Sequence, residues 1–199
     1  MSAILYRARV NPLQAVIRPR EAFPALAAKS RLAVGLAEVL LTGIASLGIE
    51  VAATALGGGS ASGFLVSVAL PALFLAYWAL SAWLIDAGAG MIGRHGRRRD
   101  FLAVSGAAYP PLTAYALLSL LEAAATRWTG SVTLASAVAW VTLPILAWFL
   151  TLSVFAIRAV YGVNPLNALA LALLPYAALT TALIIVFLAL SALHAAGVV

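Results

Sequence analysis

Five long apolar stretches, at approximately 32–55, 64–92, 101–125, 135–160 and 167–193, set the pattern of the chain. Each exceeds the roughly 20 residues that an α-helix needs to cross a hydrocarbon core of about 30 Å. Short connections separate them: LGGGSASG at 56–63, GRHGRRRD at 93–100, residues 126–134, and YGVNP at 161–165. In the last of these, Gly162 suits a helix end, and Asn164 with Pro165 suits the start of the next helix. The pattern predicts an all-α fold, an integral membrane bundle of five transmembrane helices. They form a single domain over 32–193, preceded by a basic interfacial segment, 1–31.

In that segment the apolar residues Ile4, Leu5, Leu13, Val16, Ile17, Phe23 and Leu26 are interleaved with arginines, and Pro12, Pro19 and Pro24 divide it into short pieces. Short amphipathic helices lying on the membrane would bury the apolar side chains while the arginines meet lipid phosphates. The plainer alternative is a basic leader that only sets topology. With about 31 residues before a core of about 23, the first span is too long for a cleavable signal peptide.

Composition sharpens the picture. Of 199 residues 64% are hydrophobic and 9% charged, where a soluble domain has about a quarter charged. A soluble fold of this size could not hide so much apolar surface. The absence of cysteine removes thiol catalysis, Cys-ligated zinc and iron–sulfur clusters. Every basic residue but Lys29 is arginine, a bias that suits a bacterial source and hence the inner membrane.

The charges are unevenly spread. Residues 1–31 hold Arg7, Arg9, Arg18, Arg20, Lys29 and Arg31 against Glu21, and 93–100 holds Arg94, Arg97, Arg98 and Arg99 against Asp100. Both clusters abut apolar spans, so anionic lipid rather than nucleic acid is the expected partner. The positive-inside rule then places the N-terminus and the 93–100 loop in the cytoplasm and the C-terminus outside.

No metalloprotease, serine-hydrolase, phosphate-loop or dinucleotide motif is present, so the expectation is a non-enzyme with no cofactor and no metal site. His95 and His194 fall at opposite ends of the predicted bundle. The informative groups are four carboxylates, each costly inside a bilayer without a partner, a proton or water. Counting residues from the span ends puts Glu38 and Asp86 at one depth, with Arg158 as their natural cation, and Glu50 with Glu122 near the outer face, Arg127 just beyond. Glu38, Thr42, Ser46, Glu50 and Thr54 recur at i+4 and draw a drifting polar ridge on one helix. Tyr77, Ser81, Ser105, Tyr109 and Thr113 are candidate facing groups.

Two readings of this set stand side by side. In one, the groups form interhelical hydrogen bonds and an Asp86–Arg158 or Glu38–Arg158 pair that fixes packing. In the other, Glu38, Thr42, Ser46, Asp86, Tyr109 and Arg158 form a proton or cation site. Prolines at 71, 110, 111, 144 and 175 predict kinks, with YPP at 109–111 the place for a broken helix. Trp128 and Tyr161 read as interfacial anchors. Ala89 with Gly93, and Gly48 with Ala52, have the small-residue spacing that permits close helix contact and self-association into a homo-oligomer.

Three stretches, IRPREAFPALAAKSR, FLAVSGAAYPPLTAYALLSLL and WFLTLSVFAIRAVYGVNPLNALALALLP, together resemble bacterial proteins of the Yip domain family. The resemblance covers most of residues 15–190. It implies five spans, a cytoplasmic N-terminus and an outward C-terminus. Eukaryotic members are linked to vesicle traffic and Rab GTPases, but this chain lacks their long polar N-terminal region, so Rab binding does not carry over. No catalytic residue comes with the family.

Two functions are expected from different classes. The first is a membrane-organising scaffold that binds anionic headgroups and an unidentified protein partner through Arg18, Arg20, Lys29, Arg31, Arg94, Arg97, Arg98 and Arg99. The second is a small transporter or channel for protons, cations or a small solute, using Glu38 and Asp86.

Overall fold

The computed structural model describes residues 13–29, 31–58, 60–94, 96–130 and 132–195. Two short helices, α1 (Leu13–Ile17) and α2 (Pro19–Ala27), precede α3 (Leu32–Leu56) and α4 (Ala61–Met91). Then follow α5 (Arg98–Ser105), a 3-10 turn (Gly106–Ala108), α6 (Pro111–Thr129), α7 (Val132–Trp140), α8 (Thr142–Tyr161) and α9 (Pro165–Ala195). No strand occurs among the described residues. Five stretches are long and apolar enough to cross a membrane: Leu32–Leu56, Ala61–Met91, Arg98–Thr129, Ser136–Tyr161 and Pro165–Ala192. The chain is a multi-pass membrane protein built as an all-α bundle.

The long helices close a circuit in which α3 packs on α4, α4 on α9, α9 on α8, α8 on α6 and α6 on α3. Inside it sits α5 with its 3-10 turn, against α3, α4 and α8. Every residue from Ala103 to Tyr109 is buried. Glycine makes that position accessible. A Cβ on Gly35 would strike the Leu102 and Ala103 carbonyls, and one on Gly106 would strike the backbone of Gly35. The two backbones touch directly there, as small residues allow in lipid.

The helix breaks follow from proline. Pro110 and Pro111 lack N–H donors, and their rings disfavour helix before them, so the third span breaks at 106–110. Pro144 would clash with the Trp140 carbonyl one turn back, and the fourth span is interrupted at Val141 between α7 and α8. By contrast α4 and α9 run unbroken through Pro71 and Pro175.

The ends carry their own caps. The Gly63 N–H donates to Ser60 Oγ at 3.2 Å and the Asn167 N–H to Asn164 Oδ1 at 2.8 Å, starting α4 and α9. Gly162, at φ +66°, closes α8 in the left-handed region. Arg127 Nη1 donates to the Leu56 carbonyl at 3.4 Å, a cation at the negative end of α3. Large apolar side chains from Leu183 to Leu190 on α9 are exposed, as suits contact with lipid tails. Of the small-residue pairs, Ala89 is fully buried within the chain, while Gly48 has open space around it.

Candidate functional site

At the end of the bundle carrying the 92–97 loop, Asp86 ties three elements together. Its Oδ1 accepts from the Tyr161 hydroxyl at 2.9 Å and from the Arg97 backbone N–H at 3.1 Å. The last turn of α8 and the residue preceding α5 are thereby held to α4. Tyr161 is 2% exposed and its ring lies 6.1 Å from that of Phe101 on α5. It is therefore a buried hydrogen-bond donor and not an interfacial anchor. Its signal was present in the sequence: an aromatic hydroxyl one turn past Arg158, at the same end of the bundle as Asp86.

No bond joins Glu38 to Asp86: Asp86 Oδ1 is taken by Tyr161 and Arg97, and Glu38 Oε1 has no partner among the described residues. A Cβ on Gly43 would meet Pro71, and Thr54 Oγ1 lies 3.5 Å from Ser67 Oγ, so the α3–α4 register is defined at two points. Those contacts set Glu38 opposite the stretch 76–83 of α4. Arg158 forms no ion pair with either carboxylate; among the described residues the ion pair present is Arg97 with Asp100, at 3.5 Å and exposed.

Glu38 is half-buried, and its Oε1 is buried with no hydrogen-bond partner among the described residues. Ser46 Oγ is in the same condition, and Thr42 is buried between them along the helix. The ridge drifts by about 40° per i+4 step, so its two ends face different neighbours. Its far end, Thr54, meets Ser67 on α4. Gly35, at the near end, lies against α5 and the 3-10 turn. Gly35 beside Gly106 and Leu56 beside Arg127 share one offset, which sets Glu38 level with Tyr109 and Glu50 level with Glu122. Glu50 is half-buried and Glu122 exposed.

Four of the candidate facing groups, Tyr77, Ser81, Ser105 and Tyr109, line one small polar centre, and sequence reasoning missed the Trp78 and Tyr176 that complete it. Trp78 Nε1 donates to Ser105 Oγ at 2.9 Å, both buried, and Ser81 Oγ donates to the Trp78 carbonyl at 3.0 Å. The Tyr109 ring packs edge-on against Phe149 at 5.4 Å and Phe74 at 6.2 Å, and Tyr77 lies 6.0 Å from Tyr176. The space enclosed is about 20 Å³, room for one water and no larger solute. A tryptophan at mid-span needs an acceptor for its N–H, and Ser105 is the serine of the third span at that level.

The cations behave differently. Arg18, Arg20, Lys29, Arg31, Arg94, Arg97, Arg98, Arg99 and Arg158 are all exposed. The α1–α2 pair that presents two of them does not lie on the membrane by its apolar face. It packs on α8, α5 and the 3-10 turn, with Ala15 and Phe23 fully buried and Pro19 and Ala22 nearly so. Val16 and Leu26 rest partly buried against the same core, while Ile17 is 78% exposed. Ile4, Leu5 and the side chain of Leu13 fall outside the described residues, as do Arg7, Arg9 and His95. Among the described residues no group of three His, Asp or Glu side chains could hold a metal ion.

The chain matches no known protein family, no curated protein and no solved structure.

Proposed function

We propose that this is a non-enzymatic, membrane-organising protein of the Yip type. It sits in the bacterial inner membrane with its N-terminus and 92–97 loop in the cytoplasm and its C-terminus outside. Its basic end binds anionic headgroups and a protein partner whose chemistry is acidic. The observation that carries the reading is the anchoring of α1–α2. Because Phe23 and Ala15 are fully buried and α2 packs on α8 and α5, the helix that carries Arg20 is held against the bundle, and Arg18, Arg20, Arg94, Arg97, Arg98 and Arg99 are all exposed. Each basic residue near an anionic membrane surface contributes ~1 kcal/mol of attraction. The resemblance of 17–31, 101–121 and 148–175 to the Yip family supports the same reading.

The test uses the full chain in vesicles of mixed phosphatidylcholine and phosphatidylglycerol, with spin-labelled lipid reporting which species is motionally restricted at the protein. Wild type favours phosphatidylglycerol in a salt-dependent way, and glutamine at Arg94, Arg97, Arg98 and Arg99 weakens that preference. Equal restriction of both lipids by wild type sinks the proposal.

A transport reading is favoured by one observation, the buried and unpartnered Oε1 of Glu38 beside the break in the third span. Asp86 does not join it, since its oxygen is engaged by Tyr161 and Arg97. Proton or cation flux into liposomes that Glu38→Gln abolishes without unfolding the protein is the result this reading requires.

A further inference from the structure

The seam between α1–α2 and α8 has a polar upper part and an apolar lower part. At the basic end a hollow of about 650 Å³ is lined by Arg20 and Pro24 of α2, Phe155 and Arg158 of α8, and the Gly162–Val163 turn. That volume is within the ~300–1,000 Å³ of ordinary ligand clefts. Neither guanidinium makes an ion pair or side-chain hydrogen bond with a described residue, and no carboxylate is among the described residues lining the hollow. Glu21, the acidic residue of α2, lies instead beside Gln14 and Arg18 along a separate groove.

Further along the same two elements lies a second groove of about 530 Å³, lined only by apolar residues, among them Val16, Ile17, Pro110, Pro144 and Trp148. Arg20 and Pro24 stand about one turn apart on α2, and Trp148 and Phe155 two turns apart on α8, so α8 shows one side to both cavities. From Trp148 to Arg158 the helix rises ~15 Å, about half of a ~30 Å hydrocarbon core and thus one leaflet deep. Two free arginines above a leaflet-deep apolar groove match the shape and charge of a phospholipid.

We infer that this seam binds one anionic phospholipid, its phosphate between Arg20 and Arg158 and an acyl chain along the Trp148 groove. Arginine forks suit phosphate oxygens bidentately. The α1–α2 pair is then one wall of the site, and bound lipid adds to the contacts that hold it on α8. The inference rests on the lipid-binding function proposed above and names the site that function lacks.

Native mass spectrometry of the full chain, released from detergent after addition of phosphatidylglycerol, phosphatidylcholine or inorganic phosphate, tests it. Wild type retains one phosphatidylglycerol in preference to phosphatidylcholine. Arg20→Gln/Arg158→Gln loses that retention by about tenfold or more, Arg20→Lys/Arg158→Lys keeps part of it, and Arg127→Gln, at the far end of the bundle, keeps it in full. Unfolding midpoints confirm that each variant is folded. Equal retention by wild type and the Gln pair, or equal retention of the two lipids, overturns the site. Displacement of the lipid by inorganic phosphate alone overturns the acyl groove and leaves a phosphate site. If the vesicle preference set by Arg94 and Arg97–Arg99 holds while the seam retains nothing, this inference fails alone. If both vanish, the proposed function fails with it.

Discussion

The bond from Tyr161 to Asp86 makes the sharpest quantitative prediction. Tyr161→Phe removes only the hydroxyl, leaving the ring against Phe101 and the Asp86 oxygen with its second donor, the Arg97 N–H. A hydrogen bond to a charged acceptor is worth ~1.5–3 kcal/mol. Asp86 is half-buried and can recover some hydration, so the loss for Tyr161→Phe is ~1.5 kcal/mol, the low end of that range. Asp86→Ala removes both bonds and strands a hydroxyl on a residue 2% exposed; its loss is larger, ~2–3 kcal/mol. Asp86→Asn keeps an oxygen acceptor and falls below Asp86→Ala.

The assay is a double-mutant cycle read from reversible unfolding in mixed micelles of increasing SDS fraction. If the two side chains act through one bond, the double variant is more stable than the sum of the singles implies, by ~1 kcal/mol or more. Losses that add within ~0.5 kcal/mol would refute the bond as a tie between α4 and α8, and with it the account of Asp86 as a packing group.

Further substitution sites have outcomes set by their surroundings. Gly35→Ala destabilises by ~1–3 kcal/mol, because its Cβ would strike the Leu102 and Ala103 carbonyls; Gly48→Ala, with open space around it, changes the midpoint by less than ~1 kcal/mol and in the stabilising direction. Phe23→Ala, at a fully buried position, costs ~3 kcal/mol and releases α2, so limited trypsin cleaves after Arg20 faster than in wild type. Glu38→Gln leaves the unfolding midpoint unchanged or raises it, since a neutral amide is less costly to bury than a carboxyl group with an unpartnered oxygen; a loss as large as that of Asp86→Ala would show that Glu38 has a partner.

The five spans were legible because length and hydropathy alone decide what can cross a membrane, and the caps at Gly162 and Asn164 were legible because they are local. What lay out of reach was relative height. A span of 31 residues such as Ala61–Met91 is longer than the hydrocarbon core requires, and nothing in its composition says which end overshoots. Glu38 and Asp86 therefore looked like one pair, and only the bonds of Asp86 to Tyr161 and Arg97 show that they are not. The expected contact of Phe23 with lipid went astray for a related reason. Phe23 and Ala22 form an apolar stripe, and a stripe does not say whether lipid or another helix covers it. The Trp78–Ser105 bond shows the reverse case, in which one mid-span N–H and the need to satisfy it would have been enough.

Asp86 and Glu38 together show that a carboxylate's position inside a membrane span does not decide its role. Both sit in apolar helices and both carry the same penalty if left charged and bare. Asp86 offsets that penalty with two donors drawn from two other elements, and the geometry joining α4, α5 and α8 depends on it. Glu38 has a buried oxygen without a donor among the described residues and no described cation bonded to it. The donors each carboxylate gathers thus mark Asp86 as a packing group and leave Glu38 as the residue on which the transport proposal is to be tested. By that measure the residue to mutate for transport is Glu38, and the residue to mutate for architecture is Asp86. A variant pair in which Asp86→Asn stops flux while Glu38→Gln leaves it intact would reverse this assignment.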